Sequence, residues 1–451
     1  MSLRSAPTPL AWQSDFGQLS KTIRQIGIYL VLFGVSLGCQ SDPKSEAVPS
    51  KAAPSASAQA NGNSTPPVIE HPGEALFVAV QSSASRGKAL VKKHECSRCH
   101  EGTGFQAAPR ELHCFSCHED IARGRFGQGS RKLPGWQETV EHYRYVPSLA
   151  HIGKRIRRHW IAKYLHSPTD LRRHLLSNMP RLGLSVTDAS DIAHYLTETQ
   201  QPSAPDSPVS GSLSRGRQLF ENKQCGRCHD FSGSGVAISP DLAAAKAEDQ
   251  PGIRLAPDLR LTRERFLSSA LIDWLRDPAA MSSGTRMPNH GLSGADAADL
   301  AEFLWQTELK APVPPVPPKR LPALTRDVSF DEVNEKVLSR TCGHCHTDPL
   351  SAGGDGGPGN TGGFGFKPRG LDLSSYRGTM TGHITPSGDR ASVFQKTESG
   401  EPLLLAAILA RSGEQHGTET PGVRGMPLGL PPLNPEQVQL VESWIAQGRR
   451  R

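Results

Sequence analysis

Eight of the nine cysteines in this 451-residue chain form four Cys-x-x-Cys pairs, and a histidine follows each pair directly. The four motifs are Cys96/Cys99/His100, Cys114/Cys117/His118, Cys225/Cys228/His229 and Cys342/Cys345/His346. Two thiols with this spacing lie on one helical turn and can form thioethers with the vinyl groups of haem, which places the adjacent histidine under the iron. A single motif of this kind is also compatible with a redox dithiol or half of a zinc site. Four copies predict four covalently attached c-type haems.

Three of the six methionines have a context that suits an iron ligand opposite histidine. Each is followed by proline, lies downstream of a Cys-x-x-Cys-His motif and precedes a predicted helix; the three are Met179, Met287 and Met426. A thioether opposite histidine is typical of electron-transfer haems and raises their potential. We therefore predict that these three bind iron, whereas Met281 and Met380 are ordinary side chains.

The second motif is different because Cys114 follows the first motif closely and no Met-Pro pair belongs to it alone. Two haems must therefore share one domain, and spacing leaves open whether Met179 serves the first or the second. By analogy with the repeat described below, we assign Met179 to the first haem. The second haem then needs a histidine, and we prefer His142. The alternatives are His151, His94 and His113.

An internal repeat positions these motifs. The segment 85–90 that leads to Cys96 is echoed by the segment 214–219 that leads to Cys225, with the same spacing from glycine to cysteine. A third start, at residues 330–342, keeps apolar residues at helical spacing but lacks the glycine. The repeat predicts that the first two units begin alike.

Each unit also ends with a predicted amphipathic helix, at residues 188–199, 295–307 and 435–447. Proline-rich and serine-rich joints at residues 201–210 and 311–322 separate the units. The pattern predicts an all-α fold. Its domains are a di-haem domain at residues 76–200 and mono-haem domains at residues 212–310 and 326–451.

The N-terminal segment, residues 1–39, resembles the signal of a bacterial lipoprotein. Its apolar run, residues 26–38, is too short to span a bilayer comfortably and ends at Cys39. The resemblance implies cleavage before Cys39 and a lipid on its sulfur, although the family prefers leucine where Ser36 stands. An ordinary secretory signal and an uncleaved anchor are the alternatives. Residues 40–75 follow as a predicted disordered tether, rich in serine, alanine and proline.

Each of the three units resembles a class I cytochrome c domain, in which an N-terminal helix leads to Cys-x-x-Cys-His and a methionine loop precedes a C-terminal helix. The resemblance implies three tandem helical domains with long loops. In this family a proline carbonyl accepts the ring N–H of the iron-binding histidine, and Pro147 and Pro257 match that proline.

The C-terminal unit has a glycine-rich insertion at residues 353–365, a Gly-Met-Pro sequence at Met426 and a Trp444-Ile445 ending. In these three features it resembles the cytochrome c domains common in planctomycete-type proteins. The insertion lacks the Gly-Lys-Ser/Thr ending of a phosphate loop, so we interpret it as a flexible surface loop.

Two classes of function fit these motifs. In the first, every iron has two protein ligands and the protein only carries electrons. In the second, the chain is a haem enzyme, or the cytochrome subunit of a redox enzyme complex, with an open iron at His118. The sequence favours a carrier, because three centres have a candidate sixth ligand and no distal acid, base and arginine stand out.

The net charge of +7 is modest for this length and is scattered along the chain. This positive charge favours acidic redox proteins or an anionic membrane surface as binding partners and argues against nucleic acid as one. We expect the protein on the periplasmic side of a bacterial membrane, with a lipid anchor or in soluble form, and with redox proteins as partners.

Overall fold

The computed structural model describes residues 74–126, 128–131, 133–140, 145–172, 175, 179–198, 206, 208–236, 251–313, 315–347 and 362–451. The chain divides into two units, Met1–Pro67 and Val68–Arg451, and the described residues lie in the second. The signal segment with Cys39, most of the predicted tether, and His142 lie outside the described residues. The first helix begins at Glu74, one residue before the predicted end of the tether.

Helices joined by long loops dominate the described chain, in agreement with the all-α expectation. The N-terminal module contains α1 (Glu74–Val78), α2 (Ala84–Lys93), α3 (Cys114–Ala122), α4 (Leu133–Val140), α5 (Arg158–His166) and α6 (Val186–Glu198). The middle module contains α7 (Leu213–Asn222), α8 (Pro251–Leu255), α9 (Thr262–Arg265), α10 (Ser268–Arg276), α11 (Pro278–Met281) and α12 (Gly294–Gln306). Short 3₁₀ helices lie at Cys96–Arg98, Arg110–Leu112, Ile152–Lys154, Cys225–Arg227 and Leu259–Leu261.

The C-terminal module contains α13 (Phe330–Val333), which continues as a π-helix (Asn334–Cys342), α14 (Tyr376–Thr381), α15 (Leu403–Gln415) and α16 (Pro435–Ala446). A two-stranded antiparallel sheet joins β1 (His383–Ile384) to β2 (Arg390–Ala391), with His383 opposite Ala391. Within the described ranges, no helix is long and apolar enough to cross a membrane.

The repeated glycines let the first and last helices of each repeat cross at close range. A β-carbon on Gly87 in α2 would overlap the backbone carbonyl of Asp191 in α6. A β-carbon on Gly216 in α7 would overlap the carbonyl of Asp299 in α12 in the same way. Glycine is required here because the backbones touch and a methyl group has no room to move.

The same two aspartates also fix the start of the first helix in each repeat. The Asp191 carboxylate accepts hydrogen bonds from the Ser83 backbone N–H at 2.5 Å and from the Arg86 guanidinium at 2.7 Å. Asp299 likewise accepts from the Ser212 backbone N–H at 2.6 Å. Each carboxylate therefore satisfies donors at a helix N-terminus, where a negative charge is stabilised.

The first two modules share one hydrophobic core, and the C-terminal module has its own. The shared core includes Ile192 of α6 and Phe303 of α12 and continues through the residues between the modules. The separate core centres on Trp444 of α16, which is fully buried beside Phe330. The described chain therefore has two cores for three modules.

A short antiparallel bridge joins the first two modules between Ile156 and Phe266, which lie just before α5 and α10. Its hydrogen bonds run from the N–H of Arg157 to the carbonyl of Arg265 at 2.8 Å and from the N–H of Leu267 to the carbonyl of Arg155 at 2.9 Å. Because each module contributes one donor and one acceptor from equivalent positions, the contact has approximate two-fold symmetry.

The N-terminal module also packs against the C-terminal module. The Nδ1 atom of His94 is hydrogen-bonded to the carbonyl of Phe364 at 2.9 Å, and the Glu95 carboxylate accepts the Phe364 N–H at 3.2 Å. Elsewhere Arg181 pairs with Glu414 at 3.4 Å. Residues 353–361 of the predicted surface loop lie outside the described residues, but Phe364 at its end is tied to the N-terminal module.

The third module departs from the repeat at its first helix. Val333, Val337 and Leu338 are buried, as their spacing predicts. The helix nevertheless widens into a π-helix from Asn334 to Cys342. It leads directly into the attachment motif, whereas α2 and α7 are each separated from theirs by a left-handed residue, Glu95 or Gln224.

Candidate haem-attachment sites

Three of the four motifs have the same tight turn, which brings both cysteines and the histidine together. The backbone N–H of the histidine donates to the carbonyl of the first cysteine in each motif. The distances are 2.9 Å for His100 and Cys96, 3.0 Å for His229 and Cys225, and 2.9 Å for His346 and Cys342. The eight cysteines of the four motifs are not joined in disulfides. Each turn thus presents two thiols and one imidazole, which is the set that covalent haem attachment needs.

The second cysteine of each of these three motifs lies just beyond the short helix that contains the first. The sequence predicts both cysteines on one helical turn, but the 3₁₀ helices of the first and third motifs end one residue before Cys99 and Cys228. In the fourth motif the π-helix ends at Cys342, and Cys345 lies in the turn that follows. The backbone N–H of each second cysteine still donates to the carbonyl of the first at 3.2 Å, so the two thiols stay close.

Proline carbonyls orient two of the histidines, as the resemblance to cytochrome c domains implies. The Nδ1–H of His100 donates to the carbonyl of Pro147 at 2.8 Å. The Nδ1–H of His229 donates to the carbonyl of Pro257, also at 2.8 Å. Both expectations are confirmed. Since Nδ1 carries the proton, Nε2 keeps a free lone pair for a metal.

Burial keeps these imidazoles neutral. Desolvation lowers the pKa of His100 and of His229 below the ordinary histidine value. It lowers the pKa of His346 to about 4 and that of His118 to about 3, with a smaller contribution from His344 beside His118. A neutral imidazole is the form that binds a metal.

In the part of the chain that the structure describes, no proline carbonyl accepts a hydrogen bond from His346 of the fourth motif. The Nδ1 atom of His346 is buried and has no hydrogen-bond partner among the described residues. The carbonyl of His346 instead accepts the N–H of Leu373 at 2.7 Å, which holds the turn against the following chain. Burial raises the pKa of the Cys342 thiol to about 12, and the nearby Cys345 thiol adds to the effect. The two cysteines of this motif therefore lie close together, although the helix that contains Cys342 does not extend to Cys345.

The second motif lies inside a regular helix rather than a tight turn. Cys114, Cys117 and His118 all belong to α3, and His113 caps the helix by accepting the backbone N–H of Ser116 at 3.2 Å. The motif therefore presents its groups along one face of a helix that begins where the first motif's loop ends.

The first two motifs meet at their cysteines. A hydrogen bond between the Cys99 and Cys114 thiols, together with burial, raises the pKa of Cys99. Cys99 is the second cysteine of its motif and Cys114 is the first of the next. The two haem-attachment positions are therefore in direct contact.

The second motif also meets the fourth. The ring centres of His118 and His344 are 6.0 Å apart, and their planes are inclined by 69°. His344 lies between the two cysteines of the fourth motif. Sequence reasoning missed this residue, although its position inside a Cys-x-x-Cys motif was a visible signal.

The predicted methionine ligands lie in different environments. The Trp274 indole N–H donates to the sulfur of Met287 at 3.0 Å, and Met287 packs against the shared core. Met179 is partly buried against the same core. The backbone N–H of Met426 donates to the Ala407 carbonyl at 2.9 Å, which anchors its loop on α15.

The two methionines predicted to be ordinary occupy surface positions. Met380 is exposed, and Met281 lines a surface cavity together with His151 and Asp273. Thus His151, an alternative ligand for the second haem, lies on this cavity. His94, another alternative, is buried and held by Phe364.

A group of partly buried arginines gives a further test of whether haem fits. Desolvation lowers the pKa of Arg155 and of Arg172, and it lowers that of Arg265 to about 10, with Arg172 adding to the effect. The Nε atom of Arg265 is buried without a hydrogen-bond partner among the described residues. A buried cation is stabilised by an anion. The propionate carboxylates of haem would supply one, so these side chains fit the group.

Comparison with known proteins supports the same chemistry. Residues 213–308, which correspond to the middle module, match the cytochrome c family. The chain is also similar to a nitric oxide reductase subunit of Stutzerimonas stutzeri, with 24% identity over 120 residues, which is 26% of this chain and 74% of that protein. No solved structure gives a significant match. The middle module is therefore a cytochrome c domain, which implies covalently bound haem c and electron transfer.

Proposed function

We propose that this c-type cytochrome carries four covalent haems and transfers electrons on the periplasmic side of a bacterial membrane, to which a lipid on Cys39 attaches it. The observation that carries the proposal is the set of four Cys-x-x-Cys-His motifs, each of which presents two unbridged thiols beside a desolvated imidazole. Haem supplies a one-electron iron couple when bound.

In this proposal each cysteine pair holds one haem, and the histidine of the motif is its first axial ligand. Pro147 and Pro257 fix the ring orientation of His100 and His229 through the 2.8 Å hydrogen bonds. Such outer contacts raise the basicity of the ligand nitrogen. Met179, Met287 and Met426 are the proposed sixth ligands of the first, third and fourth haems.

The protein matrix also favours electron transfer between the first two haems. Cys99 and Cys114 touch, so the residues that would hold these two haems lie side by side. Because α3 starts at Cys114 and is capped by His113, the geometry of this contact is set by a helix rather than by a mobile loop. Haems held side by side suit electron transfer from one haem to the next within the chain rather than a single isolated carrier.

The proposed partners are redox proteins. The likeness to a protein named as a reductase subunit supports a role as the cytochrome subunit of a redox enzyme complex. The likeness covers 26% of this chain, and a role as a separate carrier is the second form of the proposal. Both roles require electrons to enter and leave at haem edges.

The test is to count haem and iron per chain in the purified protein and to record the spin state of the resting ferric form. We expect four haems, all low-spin. The double variant Cys114→Ser/Cys117→Ser should lose one haem and keep three. Two or fewer haems in the unaltered protein would contradict the proposal, and a high-spin fraction that binds small ligands would favour the haem enzyme.

A separate experiment addresses the anchor. The Cys39→Ser variant should leave the haem count unchanged and move the protein from the membrane fraction to the soluble fraction. Retention on the membrane would contradict lipid attachment at this residue.

A further inference from the structure

The second haem site has no Met-Pro pair that belongs to it alone, and the structure places an unexpected histidine, His344, beside its iron-binding histidine, His118. His118 lies on α3 of the N-terminal module, and His344 lies on the turn after the π-helix of the C-terminal module. Their ring centres are 6.0 Å apart.

This separation suits a shared metal. Two imidazoles that bind one metal from opposite sides, with bonds of about 2.0 Å, have ring centres roughly 6 Å apart. The ring planes of His118 and His344 are inclined by 69°. Crossed planes are compatible with such a pair, because each ring can turn about its own bond to the metal.

The interface that holds the two histidines is fixed at several points. The His94 ring is hydrogen-bonded to Phe364 at 2.9 Å, and Arg181 pairs with Glu414 at 3.4 Å. Next to the site, Gly135 of α4 packs on the Arg340 side chain of the π-helix, where an added β-carbon would lie 3.5 Å from its Nε. These three contacts hold together the modules that contain α3 and the fourth motif.

The other described histidines have different roles. His113 caps α3 through its Nδ1 atom, which accepts the Ser116 N–H at 3.2 Å. His151 is exposed and lines the cavity with Met281. His94 binds the backbone of Phe364. His344, in contrast, has a ring contact with His118, and the 6.0 Å spacing of that contact fits a common metal.

We propose that His344 is the sixth ligand of the haem attached at Cys114 and Cys117, on the side opposite His118. This inference rests on the proposed function, since it requires that the second motif carries haem. His344 and His346 are then axial ligands of neighbouring haems and are separated by one residue, Cys345. With the contact between Cys99 and Cys114, the first, second and fourth haems form a continuous path from the N-terminal to the C-terminal module.

The ferric EPR spectrum of the complete protein tests the assignment. A ferric haem whose iron is bound by two histidines with crossed ring planes gives a strongly anisotropic low-spin signal. A haem bound by one histidine and one methionine gives a different low-spin signal. We expect one such signal among four haems. In His344→Ala that signal should disappear, and one haem should become high-spin or bind water. In His344→Met the haem should stay low-spin, and the midpoint potential of one centre should rise.

Three controls separate the possible outcomes. Gly343→Ala changes the same attachment motif without removing the imidazole and should keep the signal. His142→Ala should also keep it, and loss of the signal in that variant would overturn the assignment in favour of His142. Peptide mass analysis shows whether the second and fourth motifs carry haem in each variant.

An unchanged spectrum in His344→Ala with four haems attached would overturn the inference and leave the proposed function intact. A protein with the second motif unmodified would instead show that the proposed tetrahaem count is wrong. Absence of any low-spin signal of a haem bound by two histidines, with crossed or parallel ring planes, from the unaltered protein would overturn the assignment without any variant.

Discussion

The indole N–H of Trp274 donates a hydrogen bond to the sulfur of Met287 over 3.0 Å. Trp274 lies on α10 and Met287 lies in the loop before α12, so the contact fixes a loop residue from a helix. Sulfur retains a second lone pair when it accepts this bond. The contact therefore leaves Met287 able to bind iron and sets the direction in which it does so.

Replacing Met287 with alanine should convert one haem of the four to a high-spin or water-ligated form, because the sixth position of the middle haem is then open. The absorption and EPR spectra of the ferric protein measure this change. Met281→Ala is the matched control in the same module, since Met281 lines a surface cavity. Identical spectra for the two variants would show that Met287 is not a ligand.

Trp274→Phe should lower the midpoint potential of the middle haem. The N–H dipole has its positive end toward the sulfur, and a positive charge near the iron disfavours the ferric state. Loss of one hydrogen bond of about 1 kcal/mol corresponds to about 40 mV for one electron. A potentiometric titration measures the change, and Trp305→Phe in α12 is the control. A potential that stays constant would mean that the bond does not act on the iron ligand.

Gly216→Ala should destabilise the protein by about 1–3 kcal/mol, as overpacking of a close contact does. The added methyl group would overlap the Asp299 carbonyl and force α7 away from α12. Gly294→Ala is the matched control, because no atom lies within 4 Å of its β-carbon position. Denaturant unfolding followed by circular dichroism compares the two variants. Equal stability would contradict the close helix crossing.

The acid stability of the C-terminal module should depend on Glu332. Hydrogen bonds from Arg326 and Lys336 lower the pKa of this carboxyl to about 2 from an ordinary value of 4.5. Because the folded pKa is the lower one, the stabilisation is full above pH 4.5 and disappears as the pH falls toward about 2. We expect a contribution of about 0.5–1 kcal/mol for a partly exposed pair of this kind.

The measurement for Glu332 is the difference in unfolding free energy between the unaltered protein and Glu332→Gln as a function of pH. The difference should be largest at neutral pH and shrink through the acid range. A difference independent of pH would show that the two ion pairs add nothing. The comparison removes the effect of acid on the haem ligands, which both proteins share.

Local features of this chain were predictable from its sequence. The closing helices were expected at residues 188–199, 295–307 and 435–447, and they lie at Val186–Glu198, Gly294–Gln306 and Pro435–Ala446. The spacing of apolar residues and the start signals determine such helices locally. The carbonyls of Pro147 and Pro257 also accept the histidine N–H groups, as the resemblance to cytochrome c domains implies, although these prolines lie 47 and 28 residues from their histidines.

Contacts between modules were not predictable in this way. The bond between His94 and Phe364 and the approach of His118 to His344 join residues that are more than 200 positions apart. Neither pair lies in a periodic pattern that marks it as an interface. The π-helix before Cys345 was likewise missed, since its apolar spacing is also that of an ordinary helix. The roles of His142 and of the segments outside the described residues remain predictions.

The bridge between Ile156 and Phe266 pairs equivalent positions of the first two modules. Each of the two modules places the same short segment against the other. Each segment donates one backbone hydrogen bond to its neighbour and accepts one from it, at equivalent positions. A self-complementary patch of this kind is what joins two identical subunits in a symmetric dimer. The first two modules thus meet at this bridge as two identical subunits would, although both belong to one polypeptide.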